Sequence, residues 1–359
     1  MKKKIIILVA GICLLFSLAF FLPAFFRGNH YLFAGRKIAE RAATELANNP
    51  VTTEADNTET KTNGGFDFWD YINRQQEEFY GLFDLATEQT GITAATTEQP
   101  SDPEGGMDVY FIDVGQGNAV LFQADGQSLL YDGGNWDTSE DVTQFLKEHG
   151  VTTLDYLIIS HYDSDHCAGC IQVLEEFTVG QVLEPAYVHD SKTYEKLMEA
   201  QKAAGVSVLS PEYHSTYSFG NGNFQIVCPV SYTYEESNNN SIGIRMVYGE
   251  KSFLLTGDAE MESEYDSFTE PMPTTVYMCG HHGSSSSTSE QLMKMVTPEI
   301  AVISVGADNE YGHPTEQTLM RIAGCEIYRT DLDGTIHMHT DGATLEIDTE
   351  KDNALEPAA

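Results

Sequence analysis

Histidine and aspartate are concentrated in residues 160–166, which read Ser-His-Tyr-Asp-Ser-Asp-His. Four of these residues carry side chains that bind metal ions: His161, Asp163, Asp165 and His166. In an extended turn the first two point the same way, and a bend brings the last two inward, so the stretch offers one pair of ligands to each of two neighbouring ions. Imidazole together with carboxylate suits zinc, manganese or iron rather than a thiolate site. The alternative is an acidic surface loop that happens to contain two histidines.

The elements that must position these side chains are apolar strands. Residues 157–159 (Leu-Ile-Ile) predict a buried strand that ends where the metal-binding stretch begins. Three further polar groups also follow predicted apolar strands: Asp258, the pair His281 and His282, and His313. Each of them alone fits an ordinary turn or helix cap. Because strand ends converge at one edge of a sheet, together they predict a single site.

Seven motifs, in the right order, resemble the metallo-β-lactamase-fold hydrolases, and within them the branch related to the soluble domain of ComEC-type competence proteins. The motifs are residues 111–117, 130–134, 161–166, 239–241, 256–258, 280–284 and 311–314. The resemblance spans residues 107–348 and is specific for a branch of the superfamily. It implies a four-layer αββα sandwich with the site at one edge of the two sheets.

The resemblance also implies roles for the metal-binding side chains. The implied ligands are His161 and Asp163 for a first ion and Asp165 and His166 for a second. Asp258 would bridge the two ions, and either His281 or His282 would complete the coordination shell of the second ion. Two divalent ions, zinc or manganese, would share a hydroxide, lower its pKa and aim it at a phosphorus or carbonyl centre. We therefore expect Asp165 to be essential for catalysis.

Substrate contacts are expected from a second group of polar residues. The candidates for holding substrate oxygens are Asn240, Ser241, Ser284 and His313. The last of these could also act as the general acid that protonates the leaving group.

Four positions depart from the family pattern. Many members carry histidine where this chain has Asp163, and a carboxylate hardens the site, so manganese competes with zinc. The histidine that usually serves the first ion from the middle of the fold is absent, and residues 238–241 (Asn-Asn-Asn-Ser) occupy that region. Asn118 replaces a common aspartate, which would loosen support of the ligands. Cys170 replaces a common glycine.

Charge narrows the range of partners. The 359 residues include 55 acidic and 19 basic side chains, for a formal net charge of −36. Such a chain repels polyanions at long range, which argues against a protein that coats nucleic acid through lysine and arginine. A phosphate-ester substrate is still allowed, because bound cations reverse the local field.

The N-terminal region reads as a membrane segment. Three lysines precede residues 5–26, which contain no charged side chain and are long enough to span a bilayer. We expect residues 1–29 to be an anchor, with a cleaved signal peptide as the alternative. The hydrolase domain would then lie outside the cell, bound to the membrane or secreted.

The remaining chain divides by composition. Residues 30–106 predict a polar linker that contains an amphipathic helix at about 66–86, whose protein partner the sequence does not identify. Residues 107–349 alternate strand and helix patterns, which predicts two sheets covered by helices. Residues 350–359 form an acidic tail.

Cysteine usage leaves alternatives open. Cys167 and Cys170 form a Cys-x-x-Cys directly after the metal-binding stretch. They could be a redox pair, thiolate ligands or a disulfide, but cysteines at the start of a packed helix are more often small buried fillers.

Together these features predict a metal-dependent hydrolase, with phosphodiesters as the first choice of substrate: nucleic acid, nucleotide or a phosphodiester of the cell envelope. Hydrolysis of a carboxylic ester, amide or lactam is the alternative on the same fold. A binding module with a degenerate metal site is the alternative from a different class.

Overall fold

The computed structural model describes residues 105–351. These belong to the second of two compact units, Glu98–Ala359, and the first unit is Met1–Thr97. The predicted segment 1–29, the helix at 66–86, most of the linker and most of the acidic tail lie outside the described residues. Within residues 105–351, no helix combines the length and the hydropathy needed to cross a membrane.

The first sheet has eight strands in the order β15-β14-β1-β2-β3-β4-β5-β6. Its strands are β1 (Met107–Phe111), β2 (Val120–Ala124), β3 (Gln127–Tyr131), β4 (Thr153–Ile158), β5 (Thr178–Leu183), β6 (Ser207–Leu209), β14 (Ile336–Thr340) and β15 (Glu346–Thr349). From β3 to β6 neighbouring strands are parallel, and the other pairs are antiparallel.

The second sheet has seven strands in the order β13-β12-β11-β10-β9-β8-β7. Its strands are β7 (Thr216–Phe219), β8 (Gly222–Cys228), β9 (Gly243–Tyr248), β10 (Lys251–Leu255), β11 (Val276–Met278), β12 (Ile300–Ile303) and β13 (Glu326–Arg329). From β10 to β13 neighbouring strands are parallel. Each sheet therefore has one parallel half whose carboxyl ends lie at one edge.

Helices follow the parallel strands of both sheets. They are α1 (Ser139–Glu148), α2 (Ser164–Glu176), α3 (Lys192–Ala204), α4 (Met261–Ser267), α5 (Glu290–Val296), α6 (Glu316–Arg321) and α7 (Thr330–Asp333). Two 3₁₀ turns, Ser237–Asn240 and Gly280–Gly283, lie beside strand ends.

Three apolar cores separate the layers. The central core lies between the sheets, where Phe122 meets Phe253 edge to face at 6.2 Å. A second core joins the first sheet to α1, α2 and α3, and a third joins the second sheet to α5 and to Phe268, the C-cap residue of α4. Helix, sheet, sheet and helix thus stack in four layers, which confirms the predicted αββα sandwich.

The two sheets are tied together at the edge that carries the predicted site. Ser160, just after β4, accepts a hydrogen bond from the backbone N–H of Ile242 at 2.8 Å. The hydroxyl of Tyr131, at the end of β3, donates to the carbonyl of Ile242 at 2.7 Å. Both bonds cross from the first sheet to the start of β9. They hold the carboxyl ends of the two parallel halves against each other.

Candidate metal centre

The first ligand stretch folds as a strand end followed by a helix start. Asp163 is the N-cap residue of α2, and Asp165 and His166 lie in the first helical turn. The next turn of α2 packs closely on the turn after β3. A Cβ on Gly169 would lie only 1.8 Å from the carbonyl oxygen of Gly133. Two glycines therefore allow the helix to approach near enough for His166 to reach the site.

Asp258, directly after β10, lies at the middle of the cluster and is buried. Its Oδ1 is 3.1 Å from His166 Nε2. Its Oδ2 is 3.6 Å from the Nε2 atoms of His281 and His282, and 4.0 Å from that of His161. One carboxylate thus faces four imidazoles, one through Oδ1 and three through Oδ2.

One compact ligand group consists of Asp165, His166 and His282. The Nε2 atom of His282 is 3.2 Å from that of His166 and 3.3 Å from Asp165 Oδ2. Two ligand atoms at about 2.0–2.2 Å from a tetrahedral ion are about 3.3–3.6 Å apart. Two of the three ligand-atom separations are near this range, and the third, from His166 Nε2 to Asp165 Oδ2, is 4.0 Å, so the three side chains can close around one ion after a small adjustment.

A second group consists of His161, His166 and Asp258, all three buried. Asp163 Oδ2 lies 3.7 Å from His161 Nε2 on the more open side. The buried Nε2 of His161 has no hydrogen-bond partner among the described residues. A buried polar atom without a partner costs free energy unless a ligand satisfies it. This atom supports a metal ion on the His161 side.

Buried hydrogen bonds fix the ring orientation of two of the histidines. Asp132 accepts from His166 Nδ1 at 2.8 Å, and from the N–H and hydroxyl of Ser160 at 2.7 and 2.8 Å. Because the Ser160 hydroxyl donates to Asp132, it accepts from His161 Nδ1 at 3.0 Å. Both rings thus form a hydrogen bond with the protein through Nδ1, and this turns their Nε2 atoms toward the site.

The third ring is fixed in the same way. His282 donates from Nδ1 to the carbonyl of Ser304 at 3.0 Å. Its Nε2 is then directed toward Asp165 and Asp258. The donor set and its supporting bonds fit divalent metal ions of the zinc or manganese type.

Charges within the cluster are strongly coupled. Burial raises the pKa of Asp165, but the imidazoles of His166 and His282 outweigh it and lower the pKa to about 2. Burial is likewise outweighed at Asp258, whose pKa lies well below its ordinary value because of the same two imidazoles. The carboxylates raise the pKa of His166 and His282 in return, against the effect of burial. Without metal, protonated imidazoles balance the carboxylates.

The two adjacent histidines have different surroundings. His282 is buried and belongs to the compact ligand group, whereas the side chain of His281 is 24 % exposed. His281 Nδ1 lies 3.4 Å from Glu260 Oε1, which also accepts from Ser286 Oγ at 2.8 Å. The geometry favours His282 as the ligand and gives His281 a carboxylate partner of its own.

Two predicted substrate contacts are used inside the protein. The side-chain amide of Asn240 accepts from the N–H of Tyr234 at 3.1 Å and donates to the carbonyls of Tyr234 and Glu236. Ser241, also buried, accepts from the N–H of Asp258 at 3.2 Å. Asn240 thus holds its own loop and Ser241 positions Asp258, and the substrate contacts expected of these two residues stay a prediction.

The other two candidates lie beside the site. Ser284 is largely buried and its Oγ lies 3.0 Å from Ser286 Oγ. His313 is partly exposed, its ring is 5.8 Å from that of His281, and its buried Nδ1 has no hydrogen-bond partner among the described residues. Burial and the nearby His281 and His282 lower the pKa of His313. It is therefore neutral near pH 7, able to donate one hydrogen bond.

Cys167 and Cys170 pack in the protein interior and belong to neither candidate metal-binding group. In the described chain both thiols are free and buried. Cys167 Sγ donates to the carbonyl of Tyr162 and Cys170 Sγ to that of His166. Burial raises the pKa of both thiols, which keeps them protonated. The filler interpretation is confirmed.

Several residues of the site were not predicted from sequence: Asp132, Ser160, Glu260, Ser304 and His189. Asp132 lies in the motif at residues 130–134 and follows β3, the parallel neighbour of β4. This position was the sequence feature that could have indicated a role at the site. The others act through contacts that only the folded chain creates.

Comparisons with known proteins agree with this geometry. Residues 112–307 match the family model described as "Metallo-beta-lactamase superfamily". ComE operon protein 3 of Bacillus subtilis is 29% identical over 256 residues, which cover 65% of this chain and 33% of that protein. Recombination protein 2 of Haemophilus influenzae is 30% identical over 230 residues, which cover 63% and 27%.

The chain thus spans a third or less of the length of these curated relatives. A crystal structure of the metallo-beta-lactamase fold protein YhfI from Bacillus subtilis superposes with a TM-score of 0.44 at 15% identity, covering 67% of this chain and 99% of that one. The family match extends over more than half of the chain and includes all the candidate metal ligands. The chain therefore belongs to the metallo-beta-lactamase superfamily, and within it resembles the ComEC-type competence proteins.

Proposed function

We propose that this protein is a metal-dependent phosphodiesterase. The observation that carries the proposal is the convergence of imidazoles and carboxylates on Asp258, with the supporting bonds of His161, His166 and His282 turning each Nε2 toward it. Such an arrangement has little purpose without cations, and the fold is that of metal-dependent hydrolases.

Two divalent ions, zinc or manganese, would be held by this cluster. The compact group of Asp165, His166 and His282 would hold one ion. His161 and Asp163 would hold the other, and Asp258 would contact both. When bound, the ions supply a hydroxide at neutral pH and neutralise charge on a phosphoryl group.

The chain's own residues would then handle the substrate and the proton. Glu260 lies 3.4 Å from Nδ1 of His281, and Nε2 of the same ring faces the site, where it would be placed to protonate the leaving oxygen. His313, whose ring lies 5.8 Å from that of His281, would donate a hydrogen bond to a substrate oxygen. This proposal keeps the predicted substrate contact of His313 and moves the general-acid role to His281, because the lowered pKa of His313 favours its neutral form.

The substrate would be nucleic acid, a nucleotide or a phosphodiester of the cell envelope. The name of one relative, a recombination protein, favours nucleic acid. The net charge of −36 favours short or small substrates over long duplexes, because it repels polyanions at long range. The N-terminal segment would place the domain outside the cell, anchored or secreted.

Hydrolysis of bis(p-nitrophenyl) phosphate tests the proposal. The full chain is stripped of metal, then supplied with manganese or zinc, and the release of nitrophenolate is followed. Metal-dependent turnover is expected, and Asp165→Ala should abolish it. Asp141→Ala is the matched control, because Asp141 also lies in the first turn of a helix, α1, but away from the site.

Two results would replace the proposal. Turnover of a carboxylic ester or lactam, without turnover of phosphodiesters, would favour the second enzyme class. A folded protein that binds no metal would favour the binding module, since about two ions per chain are required for the enzyme.

A further inference from the structure

His189 lies on the loop that joins β5 to α3, and the sequence assigns it no role. Its Nε2 atom is 3.7 Å from Asp163 Oδ1. The other oxygen of the same carboxylate, Oδ2, is 3.7 Å from His161 Nε2. Asp163 therefore lies between two imidazoles, one inside the ligand cluster and one outside it.

Contacts of Tyr162 hold the His189 loop against the metal-binding stretch. The hydroxyl of Tyr162 donates to the carbonyl of Pro185 at 2.7 Å. The backbone N–H of Tyr162 donates to the hydroxyl of Tyr187 at 3.4 Å. Tyr162 is buried, and its ring also lies 6.4 Å from that of His189. The packing and hydrogen bonds of Tyr162 thus set the position of His189 relative to Asp163.

The ring of His189 is oriented by the cap of α3. Ser191 is the N-cap residue, and its Oγ accepts from the N–H of Tyr194 at 3.1 Å. The same Oγ lies 2.9 Å from His189 Nδ1. The Ser191 hydroxyl can accept from Tyr194 and still donate to Nδ1 of His189. In that tautomer the ring proton is on Nε2, the atom that faces Asp163.

Asp163 is the candidate ligand that most needs such support. The rings of His161, His166 and His282 are each fixed by a buried hydrogen bond, whereas the Asp163 side chain is 41 % exposed. An exposed carboxylate that must keep one rotamer loses conformational entropy, which a second contact offsets. His189 provides that contact at the oxygen that faces away from His161.

We propose that His189 is a positioning residue for the first metal ion, acting through Asp163. It holds Oδ1 so that Oδ2 faces the ion beside His161, and it supports a site that lacks the usual mid-fold histidine. This inference rests on the metal sites of the proposed function and not on the identity of the substrate.

Metal titration of the full chain tests this role. Metal-stripped protein is titrated with Mn²⁺ alone by calorimetry, and bound Mn²⁺ is followed by electron paramagnetic resonance. We expect His189→Ala to weaken the weaker of two Mn²⁺ sites by about 10–100-fold, the usual effect of losing a supporting contact. The tighter site should change less than about twofold. His189→Gln, whose amide N–H can replace Nε2–H, should recover most of the loss.

His337→Ala is the matched control, because His337 also pairs with an aspartate, Asp108, at 2.8 Å and lies on β14, a strand that carries none of the candidate ligands. It should leave both sites unchanged. Wild-type affinity at both sites in His189→Ala would overturn the proposal, as would a single Mn²⁺ site in the wild type. A loss in His189→Gln equal to that in His189→Ala would also overturn it, since His189 would then be a direct ligand. Each of these metal-affinity measurements is independent of phosphodiester turnover.

Discussion

Asp132 is the buried residue on which the ligand geometry most depends, and Asp132→Asn tests this dependence. The carboxylate accepts three hydrogen bonds, from Ser160 N–H, Ser160 Oγ and His166 Nδ1. Asparagine has the same shape and tolerates the left-handed backbone of this position, where φ is 58°. The change therefore removes charge and one acceptor while it preserves packing.

The expected loss follows from the count of bonds. With its oxygen in the place of Oδ1, asparagine still accepts from the N–H of Ser160. Its amide N–H₂ then replaces Oδ2 and faces the Ser160 hydroxyl, which can turn to accept, and the Nδ1 donor of His166, which cannot. One unsatisfied buried donor costs about 1–3 kcal/mol of unfolding free energy. At about 2–4 °C per kcal/mol, the melting temperature should fall by roughly 2–12 °C. Affinity for the ion beside His166 should fall by about 10–100-fold.

Calorimetric metal titration and thermal unfolding measure both quantities. Asp155→Asn is the matched control, because Asp155 accepts from Ser128 N–H and Gln127 Nε2, both at 2.9 Å, at the opposite end of β3. It should lower stability without changing metal affinity. If Asp132→Asn lowered stability but bound metal like the wild type, Asp132 would serve the fold alone and our account of ring orientation would fail.

Three further predictions address the ligands and the packing beneath them. The raised pKa of His166 and His282 makes metal binding release protons, so affinity should rise with pH above about 6.5, as calorimetry in buffers of different ionisation enthalpy would show. Elemental analysis should show that His282→Ala has lost one ion and that His281→Ala has kept both. His281→Ala should instead lower kcat by about 10²–10⁴-fold. Gly169→Ala should lower stability by about 1–3 kcal/mol in denaturant unfolding, and Gly324→Ala, in open space, by less than about 0.5 kcal/mol.

The same pKa shifts set the stability of the metal-free protein against pH. A histidine whose pKa is raised on folding adds stability below its ordinary value of 6.5, and this is lost as pH rises through the folded pKa. Asp165, with a pKa of about 2, adds stability above its ordinary value of 3.8, lost only as pH falls toward 2. We therefore expect the metal-free melting temperature to decline above about pH 6.5, and metal to remove that decline.

Strand patterns explain how much of the site is readable from sequence. The apolar runs that end at Ile158, Leu255, Met278 and Ile303 are the parallel strands β4, β10, β11 and β12. Because carboxyl ends of parallel strands meet at one edge, the ligands could be placed together without coordinates. Only the detail of the first stretch differs, since Asp165 and His166 belong to a helical turn.

The supporting contacts could not be predicted because they join distant parts of the chain. Asp132 lies 28 and 34 residues from its partners Ser160 and His166. Asn240 looks like a substrate ligand in sequence, and only the fold shows that Tyr234 and Glu236 use its amide. Local pattern identifies which side chains can bind a metal ion or a substrate. The hydrogen bonds of the folded chain, distant in sequence at Asp132 and only four to six residues apart at Asn240, decide which of them are free to do so.

Charge balance explains why this cluster and its metal ions depend on each other. Asp163, Asp165 and Asp258 lie close together, and one of them is fully enclosed. Buried carboxylates without a cation are costly, so without metal the imidazoles must be protonated to compensate. A protonated Nε2 cannot bind a metal ion. When bound, divalent ions would take the place of these protons, and the hydrogen bonds at Nδ1 would keep the rings of His161, His166 and His282 in place.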